Sequence, residues 1–130
     1  MRVLVDTQVW LWMLAAPERL RPEVRALVED GATEVLLSAA SAWEIAIKVG
    51  LGKLTLPGPP EDTVPALMVR SAVTPLAVTH RHALHVAALP PHHRDPFDRM
   101  LVAQAQVEHV PLLSADPQLQ AYDVRLIPAA

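Results

Sequence analysis

Short apolar runs alternate with longer segments of helical periodicity along nearly the whole chain. The short runs are rich in Val and Leu and suit buried strands, whereas the longer segments repeat apolar residues at helix spacing. Strands that are separated by helices pair in parallel, and the sheet they form is covered on both faces. The sequence therefore predicts a three-layer α/β/α fold with a central, mostly parallel sheet of about five strands. The predicted strands are residues 2–5, 34–37, 73–77, 110–113 and 124–127.

Capping residues mark where the helices begin and end. Asp95 is a natural N-cap with Pro96 as the first helical residue, and Thr79 can cap the helix that follows it. Pro75 lies inside the third predicted strand and therefore places that strand at an edge of the sheet. The predicted helices are residues 9–16, 22 to about 31, 39–49, 61–71, 80–89, 96 to about 109, and a short one from 117 to about 122.

The composition limits the classes of function. A length of 130 residues favours one domain over residues 1–130. The absence of cysteine excludes disulfides, thiol chemistry and zinc–thiolate sites. No apolar run approaches the ~20 residues that cross a bilayer, so no membrane partner is expected. With a net charge of −3, nucleic-acid binding has to come from local basic patches or a bound metal.

Four acidic residues are expected at the carboxyl edge of the predicted sheet. Asp6 directly follows the first strand, and Asp116 closely follows the fourth. Glu44 and Asp98 lie near the starts of helices that can face the same edge, where ligands bind in such folds. Carboxylates clustered in this way repel one another unless they are protonated or a cation neutralises them. Oxygen ligands without sulfur favour Mg²⁺ or Mn²⁺.

Each acid also has an ordinary structural alternative, which the sequence leaves open. The alternatives are a strand-ending turn for Asp6, an N-cap for Asp116, a surface ion pair with Lys48 for Glu44, and a capping-box-like helix start for Asp95 with Asp98. Glu44 is flanked by Trp43 and Ile45 in an otherwise apolar helix, so we expect it to be partly buried. A cation would remove the cost of burying that carboxylate.

Four stretches of the chain, spread between about residues 2 and 127, carry a specific pattern. They are VLVDT at 3–7, SAASAWEIAIK at 38–48, HRDPFDRML at 93–101 and LSADP at 113–117. Taken together and in this order, they resemble the PIN domain family, especially its VapC-type toxin ribonucleases of type II toxin–antitoxin systems. One position departs from the pattern, because Gln8 stands where relatives with this N-terminus often carry His.

The resemblance implies the α/β/α fold and cleavage of single-stranded or loop RNA that depends on Mg²⁺ or Mn²⁺. It also implies inhibition by a cognate antitoxin, homodimerisation and a cytoplasmic location. The products implied are a 5′-phosphate and a 3′-hydroxyl. Carried over by motif, the catalytic and metal-binding acids are Asp6, Glu44, Asp98 and Asp116, and Asp95 is a helix cap with an accessory role at most.

The chemistry also fits the residues by themselves. Phosphodiester hydrolysis needs an activated water, neutralised phosphate charge and a stabilised leaving oxygen, and a divalent cation can supply all three. We expect Asp6 and Asp98 to be the main direct ligands, with Glu44 and Asp116 binding the cation directly or holding its waters. The hydroxyls of two accessory residues could hold a water or phosphate oxygen or simply bond to nearby backbone. These residues are Thr7 and Ser114.

Other polar and aromatic residues receive simpler interpretations. A basic rim that contacts phosphates is expected from Lys48, Lys53, Arg94 and Arg99, with solvated surface charge as the alternative for each. The pair His92 and His93 is interpreted as surface, with a phosphate contact left open, and His80, His82 and His85 are interpreted as structural. Core positions are expected for Trp10, Trp12 and Trp43.

Three competing functions remain. A phosphatase of the haloacid dehalogenase type also begins with a strand and an Asp, but it requires a second Asp where this chain has Gln8. A non-catalytic interaction module should have lost acids, and this chain retains all four. A PIN nuclease for housekeeping RNA processing or decay is the closest rival to a toxin.

Overall fold

A single five-stranded sheet forms the centre of the computed structural model, which describes all 130 residues. Every neighbouring pair of strands is parallel, in the order β3-β2-β1-β4-β5. The predicted α/β fold is therefore confirmed, and each predicted strand exists within two residues of its expected bounds. The strands are β1 (Arg2–Val5), β2 (Glu34–Ser38), β3 (Thr74–Leu76), β4 (Leu112–Ser114) and β5 (Leu126–Pro128).

Six α-helices connect and cover the strands. They are α1 (Thr7–Ala15), α2 (Pro22–Glu29), α3 (Ala39–Gly50), α4 (Pro60–Arg70), α5 (His80–His85) and α6 (Pro96–Glu108). Short 3-10 turns lie at Pro17–Arg19, Val86–Ala88 and Pro117–Ala121, the last where a short α-helix was predicted. None of the helices combines the length and apolar character that crossing a membrane requires.

Two hydrophobic cores lie on opposite faces of the sheet because side chains alternate along each strand. Val3 and Val5 of β1 face one core together with Trp10. Leu4 faces the other core, where it meets Leu101 of α6. From Val3 to Val5 the central strand β1 is thus buried on both sides, as the apolar run of these three residues indicates.

The direction of the chain across the sheet reverses next to β1. From β1 the chain proceeds outward to β2 and then to β3, which contains Pro75. The strand order places β3 at the edge of the sheet, which confirms the position predicted from this proline. It then crosses to β4 on the other side of β1, and β5 completes the sheet. In open parallel sheets, ligands bind beyond the carboxyl ends of the strands at such a switch point. Here that point lies between β1 and β4.

One tryptophan lies outside the core that was predicted for all three. Trp10 is fully buried, and its indole N–H donates to Ser71 Oγ at 3.0 Å. Trp43 is 64% exposed and contacts the Phe97 ring edge-to-face, with ring centroids 5.1 Å apart. The core prediction for Trp43 is wrong because α3 turns its Ile45 face inward, and residues two positions apart lie on opposite sides of a helix.

Candidate active site

The four predicted acids line one cleft of about 360 Å³ at the carboxyl ends of β1 and β4. Asp6 stands between β1 and α1, and Asp116 lies two residues beyond β4. Glu44 lies in the second turn of α3, and Asp98 lies in the first turn of α6. Four separate segments of the chain thus bring carboxylates to the point where the strand order reverses.

Asp6 is held rigidly by both of its carboxylate oxygens. The Val9 N–H donates to Asp6 Oδ1 at 2.7 Å, so Asp6 is the N-cap of α1 and this helix starts two residues earlier than predicted. The Ser114 hydroxyl donates to the other oxygen, Oδ2. Only 7% of Asp6 is exposed, and burial raises the pKa of this carboxyl against the opposing effect of its two hydrogen bonds.

The pKa of the Asp98 carboxyl is strongly raised by its surroundings. Burial, followed by the negative charge of Asp95, raises the pKa of the Asp98 carboxyl from 3.8 to about 7, and His93 acts in the opposite direction. Asp6 and Glu44 contribute further repulsion to the raised pKa of Asp98. This is the behaviour expected of carboxylates that are crowded together without a compensating cation.

Asp95 offers a direct test of this crowding. Its Oδ1 accepts the backbone N–H groups of Phe97 at 2.8 Å and Asp98 at 3.3 Å, which confirms the predicted N-cap of α6. Replacing Asp95 with Asn keeps the cap and removes the charge, so the pKa of Asp98 should fall towards its ordinary value. Carbon-detected NMR titration of the Asp98 carboxyl in EDTA measures the change, and an unaltered pKa would contradict the assigned repulsion.

Glu44 is both part of the cleft and half of an ion pair. Its side chain is 12% exposed, and Lys48 Nζ lies 2.9 Å from its Oε2. The expected partial burial of Glu44 is present, and so is the alternative pairing with Lys48 one turn along α3. Because Lys48 also lines the cleft, the pair places one positive charge at the edge of the acid cluster.

The donor set of the cleft fits a hard divalent cation. Carboxylate oxygens dominate its polar lining, which contains neither sulfur nor any histidine. The Thr7 hydroxyl also lines the cleft and is buried without a hydrogen-bond partner, so it is available to a bound water or ligand. By contrast, the Ser114 hydroxyl is committed to Asp6 and also accepts the Asp116 N–H at 3.1 Å. The exposed Gln8 lies at the rim of the same cleft.

Of the four basic residues predicted to form a rim, only Lys48 lines the cleft that contains the acids. Lys53 and Arg94 are exposed, on the turn after α3 and on the loop before α6. The phosphate contact of Arg99 stays a prediction, and its guanidinium already makes hydrogen bonds within the protein. Its Nη1 donates to the Pro90 carbonyl at 2.9 Å and to Tyr122 Oη at 3.1 Å. Its Nη2 donates to a further backbone carbonyl at 3.3 Å.

His93 is the polar residue next to the site that the sequence interpretation missed. His92 is exposed as expected, but His93 lies inward with its Nε2 3.0 Å from Asp116 Oδ2 and 3.4 Å from Asp98 Oδ2. One ligand-type atom from each of these three residues lies within 4.8 Å of the others. One sequence feature could have indicated that His93 lies near the acids. It stands two residues before Asp95, the N-cap of α6, where the chain turns towards the helix turn that carries Asp98.

The histidines that were interpreted as structural lie outside the cleft. His82 is buried, and its Nε2 is 3.1 Å from Glu108 Oε2 on α6. Its Nδ1 accepts the Thr79 N–H, completing a capping box at the start of α5. His85 Nε2 lies 2.7 Å from Gln106 Oε1, also on α6. These contacts attach α5 to α6, so the structural interpretation holds for both residues.

Comparison with known proteins gives a match over most of the chain. The PIN domain family matches residues 3–125. Ribonuclease VapC16 from Mycobacterium tuberculosis is 52% identical over 63 aligned residues. That alignment covers 48% of this chain and 45% of VapC16, so the chain is matched to less than half the length of this relative.

Solved structures share the fold at low sequence identity. VapBC2 from Rickettsia felis, solved with a DNA fragment from its promoter, superposes with a TM-score of 0.73 at 10% identity over all of both chains. VapBC-1 from nontypeable Haemophilus influenzae gives a TM-score of 0.64 at 16% identity over 98% of each chain. At such low identity, these similarities establish only the shared fold. The reaction therefore has to be inferred from the acidic residues of the cleft.

Proposed function

The chain belongs to the PIN domain family, and from this premise we propose that it is a metal-dependent endoribonuclease of the VapC type. The observation that carries the proposal is the convergence of Asp6, Glu44, Asp98 and Asp116 on one cleft at the switch point of the sheet. Each acid has an ordinary role by itself, but ordinary roles do not explain why four separate segments crowd their charges together.

The cation of the proposed site is Mg²⁺ or Mn²⁺. Asp6 and Asp98 are its main ligands, while Glu44 and Asp116 bind it directly or hold its waters. When bound, a divalent cation activates water, neutralises phosphate charge and stabilises the leaving oxygen. It would also offset the burial and the repulsion that together raise the pKa of Asp98.

The surrounding residues orient the acids and receive the substrate. The Val9 N–H and the Ser114 hydroxyl fix the Asp6 carboxylate in one orientation, which keeps its remaining lone pairs directed at the cleft. Lys48 holds Glu44 and places a positive charge where a phosphate would enter. The unpartnered Thr7 hydroxyl is free to donate to a phosphate oxygen or a water.

Cleavage of a panel of structured and unstructured RNAs tests the proposal. Pure protein should cut RNA with Mn²⁺ or Mg²⁺ and should lose this activity in EDTA, leaving 5′-phosphate and 3′-hydroxyl ends. Ion binding is measured on the same preparation by calorimetry. Folded protein that neither cuts any RNA nor binds either ion would overturn the nuclease and favour a non-catalytic interaction module.

We propose further that the protein acts in the cytoplasm as a homodimeric toxin controlled by a cognate antitoxin protein. The supporting observations are the 52% identical stretch shared with Ribonuclease VapC16 and the fold shared with chains of the VapBC2 and VapBC-1 structures. The rival role is housekeeping RNA processing or decay. A small antitoxin gene beside the gene for this chain favours the toxin, and its absence favours the housekeeping role.

Growth of cells that express the chain distinguishes these roles. Induction should arrest growth, the Asp98→Asn variant should not, and co-expression of the small neighbouring protein should restore growth. Normal growth with abundant, cleavage-competent protein would contradict the toxin role and leave the nuclease assignment intact. Light scattering of the pure protein tests the homodimer separately.

A further inference from the structure

We propose that His93 is a positioning residue of the acid cluster, a hydrogen-bond donor that fixes the Asp116 carboxylate beside Asp98 and does not ligate the cation. The proposal rests on the proposed function, since it assigns a residue to the same site. It arises from contacts that place His93 between two carboxylates on one side and a backbone N–H on the other.

The contacts of the ring determine its tautomer. The Asp95 backbone N–H donates to His93 Nδ1 at 3.0 Å, so Nδ1 presents a lone pair and carries no proton. The neutral ring therefore has its proton on Nε2. Nε2 forms a hydrogen bond with Asp116 Oδ2 at 3.0 Å, so its N–H donates to Asp116. Asp98 Oδ2 lies 3.4 Å from the same nitrogen but is not its hydrogen-bond partner.

The same contacts exclude His93 as a ligand while the loop keeps this conformation. Ligation through Nε2 requires a lone pair there, and the proton would have to move to Nδ1. A proton on Nδ1 would point directly at the Asp95 N–H, which is itself a donor. Metal-ligating histidines usually donate from their second nitrogen, whereas His93 accepts there. The proximity of His93, Asp98 and Asp116 is therefore that of a donor, its acceptor Asp116 and a neighbouring carboxylate.

Asp116 is held by His93 much as Asp6 is held by Ser114. The Gln118 N–H donates to Asp116 Oδ1 at 2.9 Å, and His93 approaches the other oxygen. In each of these acids, one carboxylate oxygen accepts a backbone N–H at the start of a helix. The other oxygen accepts a hydrogen bond from a side chain elsewhere in the chain. Removing His93 would leave Asp116 Oδ2 without its donor, so that among these two bonds only the Gln118 N–H would still orient the carboxylate beside Asp98.

Arg99 and Tyr122 hold His93 in this place. The buried Tyr122 hydroxyl oxygen accepts the His93 backbone N–H at 2.9 Å and an Arg99 N–H at 3.1 Å. Arg99 also donates to the Pro90 carbonyl at 2.9 Å, on the loop that leads to His93. This network explains why Arg99 points away from the cleft, since it anchors the segment that carries the donor.

The matched variants His93→Gln and His93→Ala test the proposal without any RNA. The Gln side-chain nitrogen can reach the Nε2 position and donate to Asp116, whereas Ala supplies no donor. We expect Mn²⁺ affinity, measured by electron paramagnetic resonance, to fall about 10–100-fold in His93→Ala, the usual cost of losing an outer partner of a ligand. His93→Gln should retain most of the affinity, and melting temperatures show whether both variants fold.

Two spectroscopic readouts apply to the wild-type protein and do not depend on the folding of a variant. Nitrogen NMR of the metal-free protein should show His93 as the Nε2–H tautomer, and Mn²⁺-loaded protein should show no ¹⁴N coupling from His93. An Nδ1–H tautomer, ¹⁴N coupling that disappears in His93→Gln, or wild-type Mn²⁺ affinity in folded His93→Ala would each overturn the proposal. Failure of the nuclease would appear separately, as Mn²⁺ binding that depends on His93 without RNA cleavage.

Discussion

Replacing Asp98 with Asn is expected to lower RNA cleavage by about a thousandfold or more while making the metal-free protein more stable. The loss follows because a cation contributes several kcal/mol of transition-state stabilisation and Asp98 is one of its two main ligands. The gain in stability follows because the substitution removes a partly buried charge that is repelled by its neighbours. Asp6→Asn should lose cleavage to a similar extent.

Single-turnover cleavage and melting temperature in EDTA at pH 8 measure the two effects on the same preparations. Asp123→Asn is the matched control, because it removes one exposed carboxylate that does not line the cleft. It should leave cleavage and the melting temperature nearly unchanged. An Asp98→Asn variant that cuts RNA at the wild-type rate would remove Asp98 from the active site, whatever its melting temperature.

The second large effect concerns how the Asp98 contribution to the free energy of unfolding changes with pH. We expect this contribution to have opposite signs in the absence and in the presence of a bound cation. The folded pKa of Asp98 is about 7 against an ordinary value of 3.8, so the folded protein holds this proton more tightly than the unfolded chain does. Linkage then requires the Asp98 contribution to the free energy of unfolding to decline as pH rises from about 4 to about 7. Above pH 7 the full penalty applies, and below pH 4 it disappears.

A cation changes the sign of this contribution because it binds deprotonated carboxylates. At an Mn²⁺ concentration of 100 times the dissociation constant, binding should add about 2.7 kcal/mol to the free energy of unfolding. Urea unfolding of the wild type and Asp98→Asn, in EDTA and in Mn²⁺ from pH 4 to pH 8, gives the difference that isolates Asp98. A wild-type protein that gains stability relative to Asp98→Asn as pH rises in EDTA would contradict the raised pKa.

Much of the fold follows from local patterns in the sequence. The apolar runs define the strands, Pro75 marks the edge of the sheet, and Asp95 caps α6 where its side chain can reach two backbone N–H groups. These features depend on neighbouring residues and on strand or helix period, which the sequence displays directly. The boundary of α1 was missed because Asp6 ends a strand and caps a helix at once, leaving no loop between them.

The directions in which individual side chains point were harder to predict from the sequence. Trp43 and Arg99 both lie on helices that were predicted correctly, yet one faces solvent and the other reaches back to the loop before α6. His93 is near Asp116 only because the order of strands places β4 beside β1 and the capped start of α6 over that edge. Such long-range contacts depend on the strand order, which sequence periodicity does not encode. The four acids were predictable as a group because each closely follows a strand or lies in the first two turns of a helix.

Anomalous diffraction from crystals of the protein soaked in Mn²⁺ tests the central claim most directly. We expect one or two peaks inside the cleft, in contact with carboxylate oxygens of Asp6 and Asp98, with His93 Nε2 still directed at Asp116. The same soak of Asp98→Asn crystals should weaken or remove the signal. No peak in the cleft at saturating Mn²⁺, or a peak bound to His93 and away from Asp6, would contradict the account.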